Sequence, residues 1–374
     1  MSPTPIRAIA FYLPQFHPIP ENDAAWGKGF TEWTNVIQAA PQFPGHYQPH
    51  LPADLGFYDL RLTDTRQAQA DLARAYGLHG FCYYHYWFNG RHLLNRPFDE
   101  VLASGRPDFP FCLCWANESW TRAWDGQFGM HLVQQEYSEA DDRAHIAWLL
   151  NVFRDPRYIR IDGKPLFLVY RAGHLPRPAQ TTAFWRQAAR QARVGELCLC
   201  RVESNFAEER NPPSTVGFDA AVEFQPDVFH LGQPLRHRLR WRLARRAGLG
   251  APGYLVHNVF DYAATVQKML NKPRPGYRWF RCVTPMWDNT ARRKRDAYIL
   301  TGSTPELYAQ WLRGVAAQAR AAGDAEPTVF INAWNEWAEA SHLEPDLRYG
   351  HAYLEATQRA MMDASQPALG PAAT

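Results

Sequence analysis

Thr328-Val-Phe-Ile-Asn-Ala-Trp-Asn-Glu-Trp-Ala-Glu-Ala-Ser-His-Leu-Glu-Pro345 changes character part-way along. Val329 to Ala333 is a short apolar run, the signature of a buried strand. The residues just past it are polar and aromatic: Trp334, Asn335, Glu336, Trp337, Glu339, His342 and Glu344. Two carboxylates three residues apart, flanked by tryptophans at the end of a buried strand, suggest a place that grips a sugar and moves protons on it.

The same text recurs along the chain. Ile6–Leu13, Gly80–Phe88, Phe109–Trp115, Lys164–Tyr170, Leu197–Val202, Ala220–Phe224 and Arg278–Pro285 are apolar runs, most of them ending in polar or aromatic residues. With Val329–Ala333 they make eight strands. Helical spacing appears between most of them, over 59–76, 97–104, 139–153, 181–193, 261–270 and 304–322, and again over 349–363. Strands alternating with helices imply a parallel sheet covered by helices, and buried parallel strands read as continuous apolar runs. Eight such units predict an α/β fold of the (β/α)8 barrel type, with long loops and an inserted basic segment. An open doubly wound sheet is the alternative, but Pro14 and Gln15 stand where a glycine-rich phosphate loop would follow the first strand. Residues 1–363 are expected to form a single barrel domain, and 364–374 a disordered tail. The stretch from Pro14 to Pro52 reads as a long connection without regular structure, unusual unless functional.

Composition excludes several classes. The 374-residue chain carries a formal charge of +3, too balanced to point to nucleic acid. No run of ~20 apolar residues could span a membrane, and Met1–Pro5 leaves no room for a signal peptide before the first strand, so the expected location is cytoplasmic. The six cysteines sit in apolar runs and read as reduced core thiols. Aromatic residues make up 14% of the chain; stacking on carbohydrate and ordinary core packing compete as explanations. Arg236–Arg246 (RHRLRWRLARR) reads as a solvated insertion, with attraction to an anionic glycan, a sugar nucleotide or an anionic membrane surface as the alternative.

Barrel enzymes build their sites at the C-terminal ends of the strands. That rule gathers Tyr12, Trp33, His85, Tyr86, Trp87, Trp115, Asn117, Glu118, Trp124, Tyr170, Glu223, Trp287, Asp288, Asn335 and Trp337 as residues that contact substrate, around Glu336 and Glu339 as the acids. Residues three apart on a strand point to opposite faces. Both acids can therefore face one cavity only if the chain leaves the strand near Trp334 and makes a helical turn. A pair that close would push one pKa upward. The alternative is a solvated loop with two unrelated glutamates. No metal-ligand spacing of the HExxH kind occurs, and no metal or cofactor is expected. No nucleophile elbow argues for acyl transfer.

Several long motifs now bear on identity: Ile9-Ala-Phe-Tyr-Leu-Pro-Gln-Phe-His-Pro18, Trp26-Gly-Lys-Gly-Phe-Thr-Glu-Trp-Thr-Asn35, Gly80-Phe-Cys-Tyr-Tyr-His-Tyr-Trp87, Trp115-Ala-Asn-Glu-Ser-Trp120 and Trp334-Asn-Glu-Trp-Ala-Glu339. They resemble the WbsX-type proteins of bacterial polysaccharide loci, which are related to glycoside hydrolase family 99. The likeness to WbsX-type proteins runs from about Ile6 to Tyr353; the likeness to family 99 rests mainly on the Asn-Glu-Trp-x-Glu stretch and the barrel. It implies a retaining α-glycosidase acting through a 1,2-anhydro sugar, with Glu336 as base toward the 2-hydroxyl and Glu339 as acid and then base. Family 99 has His where Ala338 stands, a departure that bears on mannan specificity. A glycosyltransferase of O-antigen or capsule synthesis is the competing expectation, and a non-catalytic glycan-binding barrel a third. The expected partner is a carbohydrate, with peripheral membrane contact reserved for the basic run 236–246.

Overall fold

The computed structural model describes residues 5–122, 127–203, 211–237 and 252–365, together with Leu243 and Ala247. Eight parallel strands form its centre: β1 (Arg7–Tyr12), β2 (Gly80–Phe88), β3 (Phe111–Trp115), β4 (Lys164–Val169), β5 (Cys198–Glu203), β6 (Ala220–Glu223), β7 (Trp279–Val283) and β8 (Thr328–Ile331). Each pairs with the next in sequence. The barrel closes where β8 pairs with β1, Arg7 opposite Thr328 and Ala10 opposite Ile331. These strands are buried almost throughout, which is why they read as unbroken apolar runs.

Helices α1 (Thr63–Ala75), α2 (Arg96–Ser104), α3 (Glu139–Val152), α4 (Pro178–Gln191), α5 (Tyr262–Leu270), α6 (Pro305–Ala321) and α7 (Ala352–Ser365) follow the strands and cover the barrel. The connection after β5 holds a 3-10 turn at Pro213–Val216. Thr304 caps α6: its Oγ1 accepts from Leu307 N at 3.3 Å. The long connection after β1 was expected to lack regular structure and does not. It contains short helices at Pro20–Trp26 and Glu32–Gln38. Seven residues are too few to show a helical period, and the second is fixed by tertiary packing of Trp33 on Phe16, Tyr58 and Trp337.

Besides a two-residue ladder after β8, two small sheets were not foreseen. Asn258–Asp261, Tyr298–Thr301 and Trp287–Asp288 form one, drawn from the connections on either side of β7, and Trp120–Arg122 pairs antiparallel with Gln127–Val133 after β3. Their strands are two to seven residues long. Most of the basic run 236–246 lies outside the described residues. So does the tail from 366, while α7 carries the chain as far as Ser365, two residues further than expected. All six cysteines are buried thiols. Among the described residues no helix is long and apolar enough to cross a membrane.

Strand alternation decides which rim residues face inward. On β2, Tyr84 and Tyr86 point into the barrel mouth, while His85 and Trp87 point out to α3, against His145 and Trp148. On β1, Phe11 packs inside against Tyr84, Phe224 and Phe330, whereas Tyr12 turns outward and donates to Gln69 of α1 at 2.7 Å. Glu223 of β6 also faces outward. Its carboxylate meets Arg281 of β7 at 2.8 Å and Lys272, just beyond α5, at 2.7 Å, all three side chains almost fully buried. Removing one member of such a cluster leaves buried charge uncompensated. Glu223→Ala is expected to lower stability by about 3–5 kcal/mol in urea unfolding; a loss below ~1 kcal/mol, the scale of a surface pair, would show that water reaches these cations.

Candidate active site

Beyond Ile331 the chain leaves β8 in the way the two acids demand. Asn335–Glu336 pairs antiparallel with Ser341–His342, and Trp337–Glu339 between them forms a single 3-10 turn. Ala340 ends the turn at φ 48°, a left-handed conformation that costs a non-glycine residue about 1–2 kcal/mol. The turn is held from behind. Asn335 Oδ1 accepts from Leu13 N at 2.8 Å and its Nδ2 donates to Leu13 O at 3.0 Å, tying the loop after β8 to the end of β1. Trp337 Nε1 donates to Glu344 at 2.7 Å. The same carboxyl accepts from Tyr58 Oη at 2.8 Å and Gln69 Nε2 at 2.6 Å. Burial pushes the pKa of Glu344 up to about 7, with the Trp337, Gln69 and Tyr58 donors opposing it.

Glu336 and Glu339 thereby reach one cavity of about 670 Å3 at the mouth of the barrel, within the usual ~300–1,000 Å3 of ligand sites. Its floor is aromatic: Tyr84, Tyr170 and Phe224 line it, with Phe11 beneath. Tyr86, Trp120, Trp26 and Trp287 stand around the walls. Gln15 donates to Tyr86 Oη at 2.5 Å.

Between the acids lies Arg292. Its Nη2 is 3.0 Å from Glu336 Oε1 and 3.0 Å from Glu32 Oε2, and its Nη1 is 3.2 Å from Glu339 Oε1. One guanidinium therefore spans three carboxylates. Asp288 positions it: Asp288 Oδ1 accepts from Thr290 N at 2.9 Å and caps the 3-10 turn Asn289–Ala291 that leads into Arg292. His46 and Gln48 hold the other oxygen of Asp288, at 2.5 and 2.9 Å. Burial pushes the pKa of Glu336 well up; Arg292 opposes this, and Glu339 and Glu32 add to it. Glu339 is also raised, first by burial, with Arg292 again opposing. The neighbouring acid was the expected cause, but burial is the larger one. Glu336 Oε1 is buried, with Arg292 Nη2 3.0 Å away as the group that opposes its neutral form. Glu339 keeps 21% of its side chain open, against 8% for Glu336.

Of the residues gathered from sequence, Glu336, Glu339, Tyr86, Glu118, Tyr170 and Trp287 line the cavity. Glu118 reaches it while paired with Arg171 at 2.6 Å. The others do not. Tyr12, His85, Trp87, Trp115 and Glu223 are outward members of their strands: Trp87 Nε1 donates to Asp141, and Trp115 packs on His145 and Trp185 of the covering helices. Asn117 is buried and bonds to Arg171 O and Tyr137 Oη, joining two loops. Trp33, Asn335 and Trp337 lie behind the acid-bearing turn as its packing support. Asp288 positions Arg292 from outside the cavity. Trp124 lies outside the described residues. Ala338 is fully buried and is not among the residues that line the cavity.

Arg292 and Glu32 were missed. Glu32 lies within a quoted motif, but it is 304 positions from Glu336 and nothing in sequence brings them together; Arg292 follows the polar end of β7 by several residues, in an unforeseen turn. Gln15, Trp26 and Phe30 also line the cavity, so the connection after β1 is one of its walls. Among the described residues, the only cluster of metal-capable side chains is His50, His342 and Asp346, behind the turn and not in the cavity.

Comparison with known proteins agrees with this architecture. Among solved structures, a glycoside hydrolase-like protein superposes with TM-score 0.59 at 16% identity, over 96% of this chain and 95% of the other. A GH99 endo-alpha-mannosidase from Bacteroides thetaiotaomicron superposes with TM-score 0.56 at 14% identity, over 96% and 97% of the chains. At such identities the likeness is one of fold. The uncharacterized protein WxcX of Xanthomonas campestris pv. campestris (strain B100) is 47% identical over 358 residues, 96% of this chain and 50% of the relative; the chain spans about half the length of the curated relatives it matches. The family model described as glycosyltransferase WbsX matches residues 8–357, and the chain belongs to the WbsX family.

Proposed function

We propose that the chain is a glycoside hydrolase acting on an α-linked bacterial surface polysaccharide or an oligosaccharide cut from one. The observation that carries this reading is the acid pair itself: two buried glutamates on one 3-10 turn, bridged by Arg292, in an aromatic-lined cavity at the mouth of a (β/α)8 barrel. A glycosidic bond breaks with help from two carboxyl groups, one of which must begin protonated. Burial supplies that condition, because a closely placed pair with raised pKa values keeps a proton above the ordinary carboxylate range.

In the route implied by the resemblance, Glu336 takes the proton of the sugar's 2-hydroxyl as that oxygen attacks the anomeric carbon. Glu339 gives its proton to the departing oxygen, leaving a 1,2-anhydro sugar. Glu339 then removes a proton from water, which opens the three-membered ring at the anomeric carbon while Glu336 returns its proton to O2. The more open position of Glu339 suits its part, since it must meet both the leaving group and water. The route also requires the shared proton to sit on Glu339 once substrate is bound, whereas in the unliganded site Glu336 is the more strongly raised of the two. A raised pKa also makes Glu336, once ionised, a stronger base toward a hydroxyl.

A second reading, sugar transfer from an activated donor, is favoured by the description of the family model. Incubating the chain with α-linked oligosaccharides and no sugar nucleotide separates the two. Reducing ends should appear, and Glu336→Gln and Glu339→Gln should each slow their release by ~10²–10⁴-fold with glycan binding retained. Turnover that requires a sugar nucleotide would overturn the hydrolase reading.

The pair also predicts a pH signature in stability. A carboxyl whose folded pKa is raised binds its proton more tightly folded than unfolded, so the wild type loses stability as pH rises from the unfolded value of ~4.3 through the raised folded value. Glutamine does not titrate. Glu336→Gln should therefore be more stable than wild type by about 1 kcal/mol at pH 8, and the gain should vanish below the ordinary carboxylate range. A variant less stable than wild type at pH 8 would mean that pairing with Arg292 outweighs the cost of burying the charge.

A further inference from the structure

His50, His342 and Asp346 meet behind the acid-bearing turn, all three buried, with their donor atoms within 4.8 Å of one another. His342 Nδ1 faces the carbonyl of Glu344 at 2.9 Å. His50 Nε2 faces the carbonyl of Tyr47 at 3.2 Å. A carbonyl only accepts, so each of these nitrogens carries the proton of its neutral ring. The two remaining nitrogens, His50 Nδ1 and His342 Nε2, then present lone pairs to each other at 3.0 Å. Asp346 adds a third donor. Its Oδ1 accepts from Arg348 N at 2.9 Å and Tyr349 N at 2.6 Å. Its Oδ2 is buried without a hydrogen-bond partner, 3.8 Å from His342 Nε2.

Two opposed lone pairs and an orphaned carboxylate oxygen, all out of water, repel one another unless something positive sits among them. We propose that His50 Nδ1, His342 Nε2 and Asp346 Oδ2 form a binding site for one divalent transition-metal cation, with zinc the best match, that staples the segment before α1 to the loop after β8. Zinc binds imidazole nitrogen and carboxylate oxygen at ~2.0–2.2 Å, which puts tetrahedral donors ~3.3 Å apart. The observed 3.0 and 3.8 Å lie within half an ångström of that spacing. Backbone carbonyls on the far nitrogens are the outer contacts that orient ligating histidines. Water or the Tyr47 hydroxyl, beside Asp346, completes the four positions. The metal-free alternative is the other neutral tautomer of His50, whose Nδ1–H would donate to His342 Nε2 at the cost of the 3.2 Å bond to the Tyr47 carbonyl.

The site has a structural consequence for the acids. His342 is the strand partner of Asn335, next to Glu336, and its ring stacks on Trp337 with centroids 3.8 Å apart. Backbone bonds already join the two segments, from Ala53 N to Pro345 O and from Leu347 N to Leu51 O, both at 2.9 Å. A cation there braces the turn from behind without entering the cavity.

The test uses untagged full chain, stripped with a chelator and dialysed into metal-free buffer. Titrated with ZnCl2 alone, the wild type should take up about one equivalent and show a higher Tm, and CoCl2 should give the visible d–d bands of a tetrahedral nitrogen/oxygen site. His50→Gln and Asp346→Asn should each weaken Zn2+ uptake by at least ~10-fold. No uptake of either metal by the wild type, or uptake unchanged in both variants, overturns the proposal. The wild-type cobalt spectrum needs no substitution, so the test stands even if His342→Gln does not fold.

Discussion

Three glutamates, Glu32, Glu336 and Glu339, meet one guanidinium at the mouth of the barrel. They come from the connection after β1 and from the turn after β8, while Arg292 comes from the loop after β7. Without Arg292 this much buried negative charge could not stay in one place, since an unpaired buried carboxylate loses its hydration with nothing in return. With it, the cluster still holds more acids than cations. The excess is relieved by keeping a proton, which is also what a glycosidic acid requires. The electrostatic problem of building the cavity and the chemical demand of the proposed hydrolysis thus have the same solution.

That cluster depends on a rigid backing. Glu344 gathers the indole of Trp337, the hydroxyl of Tyr58 and the amide of Gln69, and Gln69 passes the network to Tyr12. Asn335 locks the turn to Leu13 through both ends of its amide. Asp288, gripped by His46 and Gln48, sets the approach of Arg292. A site performs only as well as the shell that fixes it. Here that shell is made of polar groups that are buried and paired, and so expensive to rearrange.

Much of this was legible in the chain. Apolar runs show a buried strand directly, so all eight barrel strands could be located to within about three residues. The need for a break after β8 followed from the period of two along a strand, and the 3-10 turn at Trp337–Glu339 meets it. What the residues did not declare was direction. Tyr12, His85, Trp87, Trp115 and Glu223 stand at strand ends beside inward neighbours, and only the register of the closed barrel tells which of each pair faces the cavity. Their aromatic and polar character serves the layer between barrel and helices instead. Partners remote in sequence were hidden as well. Glu32 and Arg292 belong to loops whose meeting depends on tertiary packing, and the small sheet carrying Trp287 and Tyr298 is too short to leave a periodic signal.

The central claim is that Glu336 and Glu339 share a proton above the pH at which ordinary carboxyls have lost theirs. Infrared difference spectroscopy of the unliganded chain across a pH titration reads this directly, through the carbonyl stretch of a neutral carboxylic acid. The account predicts such a band persisting above the ordinary glutamate range of ~4.3, with its amplitude reduced in Glu336→Gln and the remainder belonging to the other buried acids whose pKa is raised, Glu344 and Glu339 among them. A band whose amplitude and titration are unchanged by that substitution, or no band above that range, would contradict it.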